Sequence, residues 1–472
     1  MKILFTNSPL HYTHGHTFTQ PDWQTLVLPL LAAIAGETKH TIRLVDNTEG
    51  WLRSHRILSE IRAFKPDLLG VSIIAARDIQ KTVGVIRQVR QEFASLPIVA
   101  GGQGASFYDE LLVRNGTNVV VRGEGEITLR ELIAAYGSGH PDFSAIPGIT
   151  WLEGSAVVKR SAARERIKTL DDSPFPAFDL MPKRKSRWFP GRFAGSVETS
   201  RGCPFSCNFC AITSFWEGSF RTKTNVRIVE ELKILAAQGR THVYLADDNF
   251  GMGTEKHMDL FERILSANLD VRFFAQMRTD TIAENPDMVE LGARAGLYGA
   301  LIGFDTYDAE TFHHISKKGS IDLNHRCSET LRRNGVIILG SHIYGLPSQK
   351  RPRDFNRTFW VGRRNSDLFR MPHFSLLPGT RAYNTMVTEE VIQDAERRND
   401  DFRFLVRAPA ERRAFKAWYH VYTLLHVLLP DEILKALFHP NRNARILKRM
   451  GYWGTCRHYA YRALRKVKGT DI

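Results

Sequence analysis

Three cysteines fall within eight residues, in Arg201-Gly-Cys203-Pro-Phe-Ser-Cys207-Asn-Phe-Cys210, spaced CxxxCxxC and following the apolar run 193–199. A cubane iron–sulfur cluster has four irons and normally takes four thiolates, so three cysteines leave one iron open to a ligand that is not protein. A structural zinc site wants a fourth Cys or His at short spacing, and the next histidine is His242. A disulfide is disfavoured by the odd number in the cluster. A zinc site or a redox-inert cysteine cluster stands as the plainer alternative.

The elements that must carry this loop show a βα rhythm. Strands are expected at Ser196–Arg201, His242–Asp247, Val271–Met277, Gly299–Phe304, Val336–Tyr344 and His373–Leu377. Helices are expected at Val226–Gln238, Thr254–Ala267, Pro286–Ala295, Leu323–Arg333 and Pro352–Arg364, with Asn225 and Asp322 at N-cap positions and Gly239, Gly296 and Gly335 at C-cap positions. Six such units curve into a partial TIM-like barrel, whose chemistry belongs at the carboxyl ends of its strands. Those ends read Cys203, Cys207 and Cys210, then Asp247-Asp248-Asn249-Phe250, Gln276 and Arg278, Gly303-Phe-Asp305, Gly345-Leu-Pro347 and Pro378-Gly-Thr380. Polar groups thus collect at strand ends whose bodies are apolar.

The first part of the chain has the same rhythm. Strands are expected at Lys2–Asn7, Thr41–Asp46, Leu68–Ile74, Pro97–Gly102 and Val119–Arg122, and helices at Asp22–Gly36, Leu52–Phe64, Asp78–Phe93, Ser106–Asn115 and Glu126–Tyr136. Nearly continuous apolar strands imply a five-stranded, doubly wound parallel sheet covered on both faces. Its ligand cleft lies at the strand ends, here Asn7-Ser8, Asp46-Asn47, Ser72, Gly101-Gly102-Gln103-Gly104 and Gly123-Glu124-Gly125-Glu126. Physics alone gives a nucleotide- or cofactor-sized cleft. Between the two halves, Pro147–Lys159 reads as a β-hairpin, and Asp171–Pro182 is proline-punctuated and apolar enough to be an ordered strap.

The cysteine motif resembles the signature of the radical S-adenosylmethionine (SAM) superfamily, CxxxCxΦC, with Phe209 at the aromatic position. The resemblance implies a [4Fe-4S] cluster on Cys203, Cys207 and Cys210, with SAM chelating the open iron. It also implies SAM contacts at Phe209, Asp247, Asp248, Gln276, Arg278 and Asp305: carboxylates for the ammonium and a cation for the carboxylate. Asp305 departs from the family, which usually has Glu there. Helix capping by Asp247 and Asp248, and pairing of Arg278 with a neighbouring acid, are the structural alternatives. Arg221-Thr-Lys-Thr224 reads as a solvated charge cluster, and Cys327 as a small buried apolar residue.

In the first half the order strand, Gly-Gly-x-x-Ala, helix, strand, Arg-Gly-Glu-Gly-Glu resembles the cobalamin-binding domain that precedes many radical SAM domains. The resemblance implies cobalamin contacts at Asn7, Ser72, Gly101, Gly102, Gly104, Gly123 and Glu124. Many cobalamin proteins place a cobalt-binding His in DxHxxG after the first strand; this chain has Asn7-Ser-Pro-Leu-His11, so no His ligand of that type is expected, and His11, His14 and His16 read as loop histidines. The strap resembles the PFPxxDL crossing of that group. The domain reading is 1–145 cobalamin-binding, 146–190 hairpin and linker, 191–390 radical SAM barrel and 391–472 a basic helical cap.

Net charge is 65 − 50 = +15, of which residues 407–472, with 14 Lys/Arg and 4 Asp/Glu, hold +10. Helices are expected at Ala408–Leu429, Asp431–Phe438, Arg442–Met450 and Trp453–Val467. Such a tail resembles the one in the anaerobic magnesium-protoporphyrin IX monomethyl ester cyclase and related C-methylases. Its basic, aromatic character suits a large planar or carboxylated small-molecule substrate, a peripheral anionic membrane surface, or a solvated cap. No nucleic-acid-binding module is recognisable. The cysteine usage and the absence of a signal peptide or bilayer-length apolar run point to the cytoplasm. The resemblance implies a flavodoxin- or ferredoxin-like electron donor and a 5′-deoxyadenosyl radical that removes hydrogen from an unactivated carbon. Methyl transfer from cobalamin to a small-molecule or tetrapyrrole-like intermediate is the leading expectation. A cyclase-like oxidation is the second and a non-catalytic cobalamin sensor the third. No catalytic residue is named by the sequence.

Overall fold

The computed structural model describes residues 1–8, 24–37, 40–47, 54–74, 79–154, 156–186, 188–388 and 409–428. Within them the first sheet runs β1 (Lys2–Asn7), β2 (Thr41–Val45), β3 (Leu68–Ser72), β4 (Ile98–Gly101), β5 (Val119–Val121), β6 (Ile149–Glu153) and β7 (Val157–Arg160), in the order β2-β1-β3-β4-β5-β6-β7. β1–β5 are parallel. Helices α1 (Val27–Gly36), α2 (Ser54–Phe64), α3 (Ile79–Glu92), α4 (Gln103–Phe107), α5 (Asp109–Arg114) and α6 (Glu126–Gly137) connect them. The order reverses between β1 and β3, which puts the ligand crevice of a doubly wound sheet at Asn7, Ser8 and Ser72. The sheet is larger than the five strands expected. β6 and β7, the hairpin assigned to the linker, pair antiparallel onto β5 in the register Val119↔Trp151, so their backbone groups are satisfied by extending the sheet.

The second sheet is β8 (Ala194–Val197), β11 (His242–Leu245), β12 (Arg272–Met277), β13 (Leu297–Asp305), β14 (Ile337–His342) and β15 (Leu368–Arg370), all parallel and open, in the order β15-β14-β13-β12-β11-β8. Between them lie β9 (Ser200–Gly202), α7 (Ala211–Trp216), β10 (Phe220–Thr222), α8 (Asn225–Ala237), α9 (Thr254–Ser266), α10 (Thr279–Glu284), α11 (Pro286–Ala295), α12 (Ala309–His314), α13 (Ile321–Arg333) and α14 (Asn356–Asn365); α15 (Arg381–Met386) and α16 (Pro409–Leu428) follow. No closed barrel forms among the described residues.

Three local expectations are corrected. The run Ser196–Arg201 is not one strand: Asp247 takes the Thr199 N–H and hydroxyl and breaks it into β8 and β9. The sixth strand is Leu368–Arg370, and the run at His373 gives only a bridge to Tyr344, because Pro372 interrupts it. The caps of α8 and α13 are the Thr224 and Ser320 side chains, each one or two residues before the expected Asn225 and Asp322.

One apolar cluster runs from Ile3, Leu28 and Leu132 through Phe178 and Met181 of the strap to Val197, Leu235 and Ile302. The strap therefore packs as part of the core, in short helical turns at Leu170–Asp172 and Phe178–Leu180. Arg240, 1% exposed, is held by the carbonyls of Phe178, Met181 and Ala194 and by the Gln24 side chain, so it joins the strap to β8 and to the segment before α1. Cys327 is fully buried, as expected of a small core residue. Among the described residues no helix is long and apolar enough to cross a membrane.

Candidate functional site

The cysteine loop leaves β9, which pairs antiparallel with β10 through Gly202↔Phe220 and Arg201↔Arg221. Gly202 has φ 91°, and a Cβ there would lie 2.0 Å from the Ser219 carbonyl oxygen, so the residue before Cys203 must be glycine. The loop is fixed along its length. Cys210 N–H donates to the Cys207 carbonyl (3.2 Å), Asn208 N–H to Ile315 (3.1 Å), the Asn208 side chain to His314 (2.8 Å) and the Thr213 hydroxyl to Phe205 (2.8 Å). The three thiols are partly exposed. Burial pushes each up, Cys210 to about 11, against the pull of amide groups at Ile212 and Thr213 on Cys210 and of Arg278 on the other two. Coordination to a metal reverses that balance, because a ligating thiol is deprotonated outright.

The acidic pair after β11 is engaged by this loop. Asp247 is fully buried and accepts from Thr199 N–H (2.7 Å), Thr199 hydroxyl (2.5 Å) and Ser200 hydroxyl (2.5 Å). Asp247 was expected to meet a ligand ammonium; both its oxygens are bonded by the chain entering the cysteine loop. Asp248 accepts on Oδ2 from Gly202 N–H (3.1 Å) and the Trp216 indole (2.7 Å), tying together the two ends of the loop, and burial pushes its carboxyl up to about 6. Its Oδ1 makes no hydrogen bond among the described residues and is the acceptor left for a ligand.

Arg278 lies on the other side. It forks onto Asp280 (2.9 and 2.7 Å), donates to the Lys318 carbonyl (2.8 Å), stacks on the Phe205 ring at 3.6 Å and points Nη1 at the Cys207 sulfur, 3.9 Å away. The structural alternative, pairing with a neighbouring acid, is the observed one. Gln276 donates to the Tyr244 hydroxyl at 2.5 Å. Asp305 stands on a bulge at the end of β13 with φ 59°, a left-handed conformation that Asp tolerates better than most residues. It is paired with Lys317 at 2.5 Å, a buried lysine that also reaches the Gly303 carbonyl and that the sequence did not single out.

The first sheet brings its own crevice to this place. Gly102 has φ 100°, and a Cβ on it would meet the Ile73 carbonyl at 2.8 Å, so the β4–α4 turn presents bare backbone. The Ser8 and Ser72 hydroxyls, at the switch point, are buried without a partner. Asn7 is held by Asp46 (3.2 Å) and Asn47 (2.6 Å). Gly104 N–H bonds the Ile73 carbonyl and Gly123 N–H the Ser106 hydroxyl, so both glycines shape the turns. A crevice with bare glycine backbone and unpaired hydroxyls fits a large polar cofactor. His11, His14 and His16, and the helices expected at Asp431–Phe438, Arg442–Met450 and Trp453–Val467, lie outside the described residues.

Glu124 follows that crevice and is held by arginines. Its side chain, 5% exposed, pairs with Arg201 (2.7 Å) and Arg221 (2.9 Å); Arg201, 6% exposed, also pairs with Glu126 (2.6 Å) and Glu198 (2.8 Å). Burial works against Glu124 ionising, but the arginines hold it below the ordinary range, while burial raises Glu198. Arg221 and Lys223 were expected in solvent; Arg221 belongs to this network and Lys223 is buried against Glu231 at 2.7 Å. The network bolts the turn after β5 to the residue two before Cys203.

A cavity of about 350 Å³ lies where the two sets of strand ends meet. Phe209, Asp305, Ser341 and Phe374 line it from the second sheet, and Ile74, Gln103 and Phe107 from the first. Beside it, Phe107 meets Phe215 of α7 edge-on at 6.4 Å.

The profile of the B12 binding domain matches residues 19–133, and that of the radical SAM superfamily matches residues 197–354. Over 372 residues the chain is 27% identical to an uncharacterized methyltransferase of Pyrococcus horikoshii, covering 78% of this chain and 79% of the relative. Over 466 residues it is 25% identical to the anaerobic magnesium-protoporphyrin IX monomethyl ester cyclase of Synechocystis, covering 96% and 91%. Its fold is similar to that of the cobalamin-dependent SAM radical enzyme OxsB, solved with aqua-cobalamin and SAM bound (TM-score 0.68, 16% identity, covering 97% of this chain and 71% of that one).

Proposed function

We propose that this chain, a radical SAM protein with an N-terminal B12-binding domain, is a cobalamin-dependent methyltransferase acting on an unactivated carbon of a small molecule. The observation that carries the reading is the shared cavity: residues of the cysteine loop and residues of the first sheet's crevice line one space, so two cofactors bound at these strand ends face a common substrate. The cluster with SAM supplies one-electron hydrogen abstraction, and cobalamin supplies the methyl group.

In this reading Cys203, Cys207 and Cys210 hold the cluster, one thiolate per iron. Among the described residues no group of three His, Cys, Asp or Glu is arranged to hold a single metal ion, and a cubane does not require one. Asp248 offers Oδ1 to the SAM ammonium while Oδ2 keeps the loop closed. Phe209 lines the cavity beside the third thiol. Arg278, locked by Asp280 and Phe205, sets a positive field beside Cys207. Lys317 and Asp305 set a fixed ion pair at the cavity wall. Asn7, Ser72 and the glycines at 101, 102, 104 and 123 form the cobalamin crevice, and Glu124 positions that crevice against the cysteine loop. Apolar and aromatic walls exclude water from the radical.

A second reading, oxidation or ring closure without methyl transfer, is favoured by the similarity to the Synechocystis cyclase along nearly the whole of both chains. Products separate the two. Anaerobic turnover with candidate substrates, followed by mass spectrometry, yields S-adenosylhomocysteine and a substrate heavier by one methylene for methylation. Oxidation yields 5′-deoxyadenosine and methionine without S-adenosylhomocysteine.

A further inference from the structure

α16 is apolar on two sides. Its inner side, Phe415, Tyr419 and Tyr422, is packed: Tyr419 lies 3.8 Å ring to ring from His373, and Tyr422 donates to Asn356 at 2.5 Å. Its outer side presents Ala414, Ala417, Trp418, Val421, Leu424 and Leu425, spaced i, i+3, i+4, i+7, i+10 and i+11, a second helical stripe. The four large residues of that stripe and Trp360 of the adjoining α14 are between 37% and 44% exposed. One aromatic chain, Trp360–Phe359–Tyr422–Trp418, with centroid separations of 5.2, 5.0 and 5.8 Å, joins the two helices, so both tryptophans belong to one surface.

Its charge has one sign. The segments 352–365 and 409–428 hold seven Lys/Arg and two Asp/Glu. Arg353, Arg357 and Arg364 fall at the spacing of Trp360, on one exposed stripe, and Arg413 borders the outer stripe of α16. None of these four guanidiniums forms an ion pair among the described residues. Arg and Trp are also common at protein interfaces, but four guanidiniums without an ion pair beside exposed aliphatic side chains make a cationic, apolar face. It matches what a helix lying in the lipid headgroup region requires: aromatic rings at the headgroup level, aliphatic side chains toward the acyl chains and cations against anionic lipid.

We infer that the α14–α16 face docks the enzyme on the surface of an anionic lipid bilayer, lying on it without crossing it. The test is co-sedimentation of the full chain with vesicles of phosphatidylcholine alone and of phosphatidylcholine mixed with phosphatidylglycerol. The protein sediments with the mixed vesicles and not with the neutral ones, and is released by salt as the headgroup field is screened. Replacing Arg353, Arg357 and Arg364 together with Gln lowers partitioning about a hundredfold, at about fivefold for each arginine. A separate variant, Trp360→Glu with Trp418→Glu, abolishes it while the thermal melt, read by circular dichroism, stays within a few degrees. Equal binding to both vesicles, or none to either, overturns the inference. So does a concentration-dependent dimer that Trp418→Glu dissociates, because a second copy then covers the face.

Discussion

The buried network around Arg201 yields the sharpest stability prediction. Arg201→Met removes the cation shared by Glu124 and Glu126, both buried, and by the partly exposed Glu198; of the three, Glu124 keeps a direct ion pair in Arg221. Removing one partner of a buried ion pair costs about 3–5 kcal/mol, because the other charge is left uncompensated. An exposed pair costs about 0–1 kcal/mol. With Arg201 and Glu124 only 6% and 5% exposed, the first figure applies. For a cooperative unit of roughly 200 residues that is a drop in Tm of roughly 7–12 °C. The assay is thermal unfolding by circular dichroism of wild type, Arg201→Met, Glu124→Gln and the double variant. The two single changes couple, since each removes a partner of the other, and the double variant is destabilised by roughly 0.5–3 kcal/mol less than the sum. A loss under 1 kcal/mol for Arg201→Met, or strict additivity, refutes the claim that this network fastens the first sheet to the cysteine loop.

Gly202→Ala drives a Cβ into the Ser219 carbonyl, so bound iron per chain, measured after anaerobic reconstitution, falls sharply, while Gly84→Ala, on α3 with ordinary helical φ and nothing within 4 Å, leaves it unchanged. Asp248→Ala frees both ends of the loop and loses roughly 1.5–3 kcal/mol for each charged hydrogen bond; cluster content and SAM affinity fall together, checked by iron assay and equilibrium dialysis. His257 is held neutral, its pKa lowered to about 4 by burial, with Nε2 accepting from Gly251 N–H and Nδ1 bonded to the Gly253 carbonyl. The unfolded chain takes up the proton near pH 6.5, so stability is lost as pH falls from 6.5 toward 4, by about 3 kcal/mol at most. The difference in unfolding free energy between wild type and His257→Gln, followed by urea titration across that range, carries this slope and is flat above pH 7.

Much of the scaffold was legible because the β bodies are apolar and the breaks between them are polar, so sheets, helix faces and the cysteine loop follow from pattern. What the sequence concealed was partnership across distance. Asp247 and Asp248 read as ligand contacts through the family resemblance; that Thr199, Ser200, Gly202 and Trp216 also bond them is announced by no local signal. Glu124 and Arg201 are 77 residues apart, and only the meeting of the two sheets reveals the pair. Lys317 sits in a short basic loop with no motif around it, yet folds onto Asp305. Glycines fared better: Gly202 and Gly102 stand where backbone crowding leaves no room for a side chain, and the motifs already placed them at turns.

The central claim is that an iron beside Cys203, Cys207 and Cys210 activates SAM at the cavity both sheets share. The direct measurement is anaerobic: the chain reconstituted with iron and sulfide, supplied with cobalamin, SAM and a strong reductant, and the adenosyl products followed by mass spectrometry. The account predicts a brown protein that releases 5′-deoxyadenosine, and a colourless, silent one when the three cysteines are replaced together by alanine. A wild-type chain that binds no cluster and leaves SAM intact, or a triple variant that remains brown, contradicts it.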